Sequence, residues 1–134
     1  MQLKKIKQGL LLTCITLFYA TVTLAKAPIG LWTTIDDKTG QKRSKVEITL
    51  DKNNELKGEI IEVYAQKGDT GICRKCPGDF KDKPIKGLTF FWGLKADEHG
   101  SWSGGEILDP KSGKIYSVKM TEKGDKLYVR GYVG

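Results

Sequence analysis

The 134-residue sequence contains a single histidine, His99. It lies in Asp97-Glu98-His99-Gly100, a composition suited to a solvated turn. Such scarcity works against a zinc site, which needs four ligands, or three and a water. It also removes the usual base partner of a nucleophilic serine or cysteine. There is no glycine-rich phosphate loop, and no two carboxylates are spaced in a way that indicates acid–base work. No catalytic residue, metal ligand or cofactor site is therefore assigned. Nor does any amphipathic helix follow residue 25, so extended structure is what remains.

The first residues, "MQLKKIKQGLLLTCITLFYATVTLA", have the layout of a secretory leader. Lys4, Lys5 and Lys7 precede an apolar run from Leu10 to Ala20, and the small residues Thr23 and Ala25 follow. The run falls short of the ~20 residues that span a membrane. Cleavage is expected after Ala25, because a cut after Ala27 would leave Pro28 at the start. An uncleaved N-terminal anchor is the alternative. Cys14 lacks the small-residue pattern of a lipidated cysteine. The expectation is a protein exported to a periplasm or beyond, with residues 1–25 as leader and 26–134 as one domain without a membrane span. Loss of the leader lysines lowers the net charge from +7 to +4. The remaining charges are interspersed, which argues for a solvated surface and against nucleic-acid binding.

Cys73 and Cys76 are the two cysteines left in that domain, within "GICRKCPG". An oxidising compartment favours their closure into a local disulfide that staples a loop. A redox pair is the sharper alternative: Arg74 and Lys75 would favour a thiolate. Redox motifs of this spacing usually precede a helix, whereas Pro77-Gly78-Asp79 and "FKDKP" follow here. Metal binding through the pair and a distant His99 is the weakest of the three.

The rest of the chain alternates between strands and turns. In "SKVEITL", Val46, Ile48 and Leu50 share a face against Lys45, Glu47 and Thr49. "GLWTTID", "ELKGEIIEVYA", "IKGLTFFWGL", "SWSGGEILD", "KIYSVKM" and "KLYVRGYVG" bring the candidate strands to seven. The phase slips at Ile60-Ile61, which predicts a bulge. Leu88, Phe90 and Trp92 fall on one face of their strand and Phe91 on the other. Residues 66–84 form a long loop that carries the cysteines. Regular strands, with glycines where a sheet must curve, predict an all-β fold, a small antiparallel up-and-down barrel.

Several stretches carry a specific resemblance. They are Gly30-Leu31-Trp32, Leu56-Lys57-Gly58-Glu59-Ile60, Cys73-Arg74-Lys75-Cys76, Lys86-Gly87, Trp102 to Pro110, Gly113 to Tyr116 and Leu127 to Gly134. In these the chain resembles the bacterial family "domain of unknown function 2147" (DUF2147). The resemblance implies an exported protein with a lipocalin- or calycin-like barrel and no assigned chemistry. Relatives continue past the "RGYVG"-like segment into another strand, whereas this sequence is given to Gly134. The resulting expectation is an incompletely closed barrel whose free edge could self-associate. Gly30-x-Trp32 is similar to the first strand of lipocalins, where an arginine from the last strand covers the tryptophan. That likeness places Arg130 over Trp32 as a structural pair.

An eight-strand barrel has room for packed side chains or one small ligand. The residues expected to line such a site are Tyr64, Phe90, Trp92, Trp102, Glu106 and Tyr116. Glu106 has two readings. By alternation it shares an interior face with Trp102, Gly104 and Leu108; alternatively Gly104-Gly105 shifts the phase and turns it to water. The expected function is an exported, non-enzymatic binding protein for a small apolar or amphipathic molecule. The alternatives are an envelope interaction module, using an open sheet edge or the 66–84 loop, and a thiol oxidoreductase through Cys73 and Cys76.

Overall fold

The period-two stretches become strands in a computed structural model of the chain, which describes residues 1–6 and 26–134. The strands are β1 (Gln2–Lys5), β2 (Gly30–Ile35), β3 (Lys42–Leu50), β4 (Leu56–Val63), β5 (Thr89–Ala96), β6 (Trp102–Leu108), β7 (Ile115–Lys123) and β8 (Lys126–Tyr132). Each pairs antiparallel with the next, and β1 also pairs with β8, so the sheet closes into a barrel. Strands β2 to β8 correspond to the seven expected from the sequence.

The incomplete closure expected for this barrel does not occur. Gln2–Lys5 fills the gap between β2 and β8, with Leu3 opposite Thr34 on one side and Leu127 on the other. Leu3 is 0% exposed, a burial that contributes about 1.5–3 kcal/mol relative to an exposed leucine. The strand comes from within the stretch read as leader. The apolar run Leu10–Ala20 and the cleavage position after Ala25 lie outside the described residues.

The barrel has two unlike ends. Tight connections over 51–55, 97–101 and 124–125 gather at one end, here called the turn end. Asp51 and Asp97 organise the first two by accepting backbone N–H bonds two and four residues on, from Asn53 and Glu55 and from His99 and Ser101. These are Asx turns, so the lone histidine sits in a capped, exposed turn. The interior nearby is solid: Trp32, Leu56, Leu94, Met120 and Leu127 are all fully buried. The Trp32 indole N–H donates to the Pro28 carbonyl at 2.9 Å. The longer connections over 36–41, 64–88 and 109–114 meet at the opposite, loop end.

Bulges correct the simple alternation. Lys45 pairs with Glu62 but Val46 with Ile60, leaving Ile61 as the extra residue, at the slip visible in the sequence. Strand β5 departs further. Gly58 pairs with Phe91 and Glu59 with Thr89, so Phe90 is extra and both phenylalanines turn inward, at 5% and 0% exposure. Between Phe91 and Leu94 another extra residue enters, beside Gly93 at φ 75°. On β6 the pairing slips between Trp102 and Gly105, beside Gly104 at φ 79°. Glycine adopts these left-handed angles without the steric cost of a Cβ. The two slips reverse the inward phase, so Gly105 and Ile107 face in while Glu106 and its neighbour Trp92 face out.

Candidate binding site

At the loop end the solid core gives way to a cleft of about 840 Å³. Ile60 and Val63 of β4, Ile85 and Phe90 supply apolar lining. Thr34 and Ser44, adjacent on β2 and β3, supply hydroxyls joined by a 2.7 Å hydrogen bond. The rim is charged. Lys38, Arg43, Arg74, Lys75, Lys86 and Lys111 border it, together with Asp36, Asp37, Asp69 and Asp109.

Local hydrogen bonding separates the two signs. Asp36 accepts from the backbone N–H groups of Lys38 and Thr39, which hold its carboxyl below the usual value of 3.8. Asp69 accepts from the Gln66 N–H, and Asp109 from the Lys111 N–H and the Ser112 hydroxyl. Asp37 takes the ammonium of Met1 at 2.6 Å. The acids are thus engaged in shaping turns or holding the chain start. No ion pair involves Arg43, Arg74, Lys75 or Lys86 among the described residues. Cations with no fixed partner over an apolar lining form a surface suited to an amphipathic anion.

The long loop brings part of this rim into place. Cys73 and Cys76 form a disulfide, and both are buried, at 0% and 3% exposure. Their sulfurs lie 4.0 Å from the Pro110 carbonyl oxygen. Gly113, in the β6–β7 connection, is pressed against the Lys75 carbonyl, leaving no space for a side chain. The Cys73 and Asp82 N–H groups bond to the carbonyls of Lys83 and Cys73, closing the loop on itself. Only a single 3-10 turn, Gly78–Phe80, follows the pair, so no helix N-terminus faces the sulfurs. Arg74 and Lys75 are therefore carried on a stapled turn docked against the barrel.

The expected ligand residues separate. Phe90 lines the cleft, and Tyr116 lines a smaller adjoining cavity of about 240 Å³ with Met1, Phe90 and Val129. Tyr64 follows β4, half-buried, between two residues that line the cleft. Trp102 is buried at the turn end opposite Met120, away from the cleft. Trp92 stacks on Phe80 outside the barrel, with centroids 5.6 Å apart. Glu106 is exposed beside it, which settles its two readings in favour of water. Both departures follow from the glycine-linked slips in β5 and β6. The Arg130–Trp32 stack does not form: Arg130 lies exposed on the outer face of β8, whereas Trp32 is fully buried. Lys5 on β1 takes that place, with Nζ 5.9 Å from the ring centroid. The residues missed by sequence reasoning are the basic rim and the Thr34–Ser44 pair. Arg74 and Lys75 were visible within the cysteine motif, but only as modifiers of a thiol.

Among the described residues no group of three or more histidine, cysteine or acidic side chains is placed to hold a metal ion. A family model described as "Uncharacterized protein conserved in bacteria (DUF2147)" matches residues 30–134. No curated protein matches the chain. Among solved structures, the chain is similar to protein HP1028 from the human pathogen Helicobacter pylori, described as belonging to the lipocalin family. The two are 22% identical with a TM-score of 0.61, over 79% of this chain and 76% of that one. At this identity the likeness establishes a lipocalin-like fold.

Proposed function

The chain belongs to DUF2147, a family of uncharacterised proteins conserved in bacteria, and on that premise we propose that it is an exported, non-enzymatic binding protein for a small amphipathic molecule with an anionic end. One observation carries the reading. A cleft of about 840 Å³ opens at one end of a lipocalin-like barrel, with apolar side chains inside and unpaired cations at its rim. That size falls within the range of about 300–1,000 Å³ typical of small-molecule sites. The apolar part of the ligand lies against Ile60, Val63, Ile85 and Phe90, while Arg43, Arg74 and Lys86 face its charged end. The Thr34 and Ser44 hydroxyls offer a secondary polar contact.

Displacement of a bound anionic naphthalene-sulfonate dye tests the proposal. A medium-chain carboxylate should displace it more effectively than the alcohol of the same length. Arg43→Glu should weaken carboxylate binding about fivefold or more, since a partly exposed charge contact contributes about 1 kcal/mol. Equal displacement by alcohol and carboxylate would refute the anionic end. Absence of any bound dye or lipid-like ligand would refute the binding function.

A further inference from the structure

Charges that are interspersed along the sequence are sorted by the barrel. On β7 and β8 the outward side chains alternate with the buried Val118, Met120, Leu127 and Val129. The register sets Lys119 opposite Arg130, Thr121 opposite Tyr128 and Lys123 opposite Lys126. Two cation pairs thus flank a tyrosine, and Tyr132, opposite Ser117, continues the face toward the loop end. The four cations and both tyrosines are exposed. Like charges directly opposite each other destabilise a sheet. No acid on these strands offsets them. Glu122 falls in the inward phase, opposite Leu127, and no ion pair among the described residues involves the four cations. Asp97, whose carboxyl feels the Lys119 charge, is engaged by the backbone donors of its own turn. Glu106 borders the face only at its Ser117 row. Across the barrel, on β3 and β4, Lys45 pairs with Glu62 at 3.1 Å and Glu47 stands opposite Glu59. One wall is therefore cationic, and the wall opposite carries mixed charge with an excess of acid.

We propose that the outer β7–β8 wall is a docking face for an anionic membrane surface, on which the barrel lies without inserting a strand. The proposal is independent of the cleft's ligand. Charge complementarity names the occupant. Each lysine or arginine held near an anionic bilayer adds to binding. Tyrosine suits the headgroup level, because its apolar ring carries a polar hydroxyl. The Lys123 Nζ lies 5.7 Å from the Tyr128 ring centroid, so cation and ring are presented together. The layout extends in two dimensions: the cation pairs lie on both strands, about 13 Å apart along them at the usual strand rise. Such a face meets a plane of headgroups at several points at once. A single-stranded nucleic acid is instead held in a groove that tracks its backbone. Neither the cleft nor the adjoining cavity reaches these residues. The excess acid on β3 and β4 points away from a surface met by β7 and β8, so the charge asymmetry of the barrel also orients its approach.

Cosedimentation of the full chain with vesicles tests the face. One set of vesicles is phosphatidylcholine alone and the other is phosphatidylcholine with an equal part of phosphatidylglycerol. Residues 1–25 are the same in every form compared, so differences between forms report the wall. The chain should partition to the anionic vesicles, and added salt should weaken that binding. Lys119→Ala with Arg130→Ala should lower the partition coefficient at least about tenfold, at about fivefold for each cation removed. Lys52→Ala with Lys57→Ala removes the same charge elsewhere on the barrel and should change it less than about twofold. Relief of the like-charge pair should leave the melting temperature of the Lys119, Arg130 variant unchanged or raised. Should that variant fail to fold, Lys126→Ala alone, expected to cost about fivefold, reads the same face. Equal binding to both vesicle types overturns the proposal. So does an equal loss in the two double variants, which would make net charge the only cause. Displacement from the vesicles by a single-stranded oligonucleotide at lower concentration than by soluble phosphatidylglycerol headgroup would assign the face to nucleic acid instead. Self-association abolished by the Lys119, Arg130 change would assign it to the acidic wall of a second copy.

Discussion

Gly113 is where the disulfide loop meets the barrel. Its Cα lies so close to the Lys75 carbonyl that an added methyl would overlap it, and its φ of 74° disfavours any larger residue. Gly113→Ala should therefore undock the 66–84 loop, at an overpacking cost of about 1–3 kcal/mol. Faster hydrogen exchange at the Cys73 and Asp82 amides, with little change in β7 and β8, is the expected readout. The acid limb of stability also belongs to single residues. At Asp97 desolvation raises the pKa, but backbone donors at Ser101 and His99 and the Ser103 hydroxyl outweigh it, and the net shift is downward. The Asp36 carboxyl is lowered chiefly by the Lys38 and Thr39 N–H groups. A lowered folded-state pKa adds stability above the ordinary value of 3.8, and that stability is lost as pH falls through the folded value. Melting temperature should thus decline below about pH 4, and Asp36→Asn with Asp97→Asn should flatten the decline. Asp97 was legible as part of a turn, whereas Asp36 read as the end of the first strand. The outward position of Glu106 was not settled by the sequence, because a glycine pair announces a bend without saying which residue is extra.

Elements follow from the sequence where the alternation is unbroken. In β3, Val46 and Ile48 are fully buried between more exposed neighbours, as the period requires. In β4 the paired isoleucines signalled their own bulge, since two adjacent apolar residues cannot both obey a period of two. Strand β5 gave a misleading pattern. Leu88, Phe90 and Trp92 alternate in sequence, yet extra residues at Phe90 and beside Gly93 place Phe91 inside and Trp92 outside. Phe91 also needs the space above Gly58, where a Cβ would strike its ring. That contact joins residues 33 positions apart and leaves no local signature. The loop is the other element open to test. The Cys73–Cys76 bridge closes a short ring, so the chain-entropy account gives it about 2 kcal/mol. The Cys73→Ser, Cys76→Ser double variant should lower the melting temperature while retaining the β-sheet circular dichroism signal. It should also weaken carboxylate binding, because Arg74 and Lys75 ride on the stapled turn. Unchanged binding in a folded double variant would show that the loop cations take no part.

For the whole molecule, closure and cleft share residues. Met1 lines both the 840 Å³ cleft and the 240 Å³ cavity, and its ammonium is held by Asp37 at the rim. The chain start thus forms a wall between two spaces that both border Phe90. None of this was legible in advance. "MQLKKI" is too short to show a strand period, and its lysines carry the stronger signal of a leader. Removing that wall should join the spaces, lengthening the apolar path toward Tyr116 and Val129. The preferred ligand should then depend on the state of the N-terminus. Dye displacement by carboxylates of eight and sixteen carbons, measured on the full chain and on a chain shortened to begin at Lys26, separates the outcomes. The longer carboxylate should gain at least about tenfold over the shorter on losing residues 1–25, because each newly buried methylene adds about 0.8 kcal/mol. A preference that is the same in both forms would mean that the cavities do not communicate, and that the start of the chain only closes the sheet.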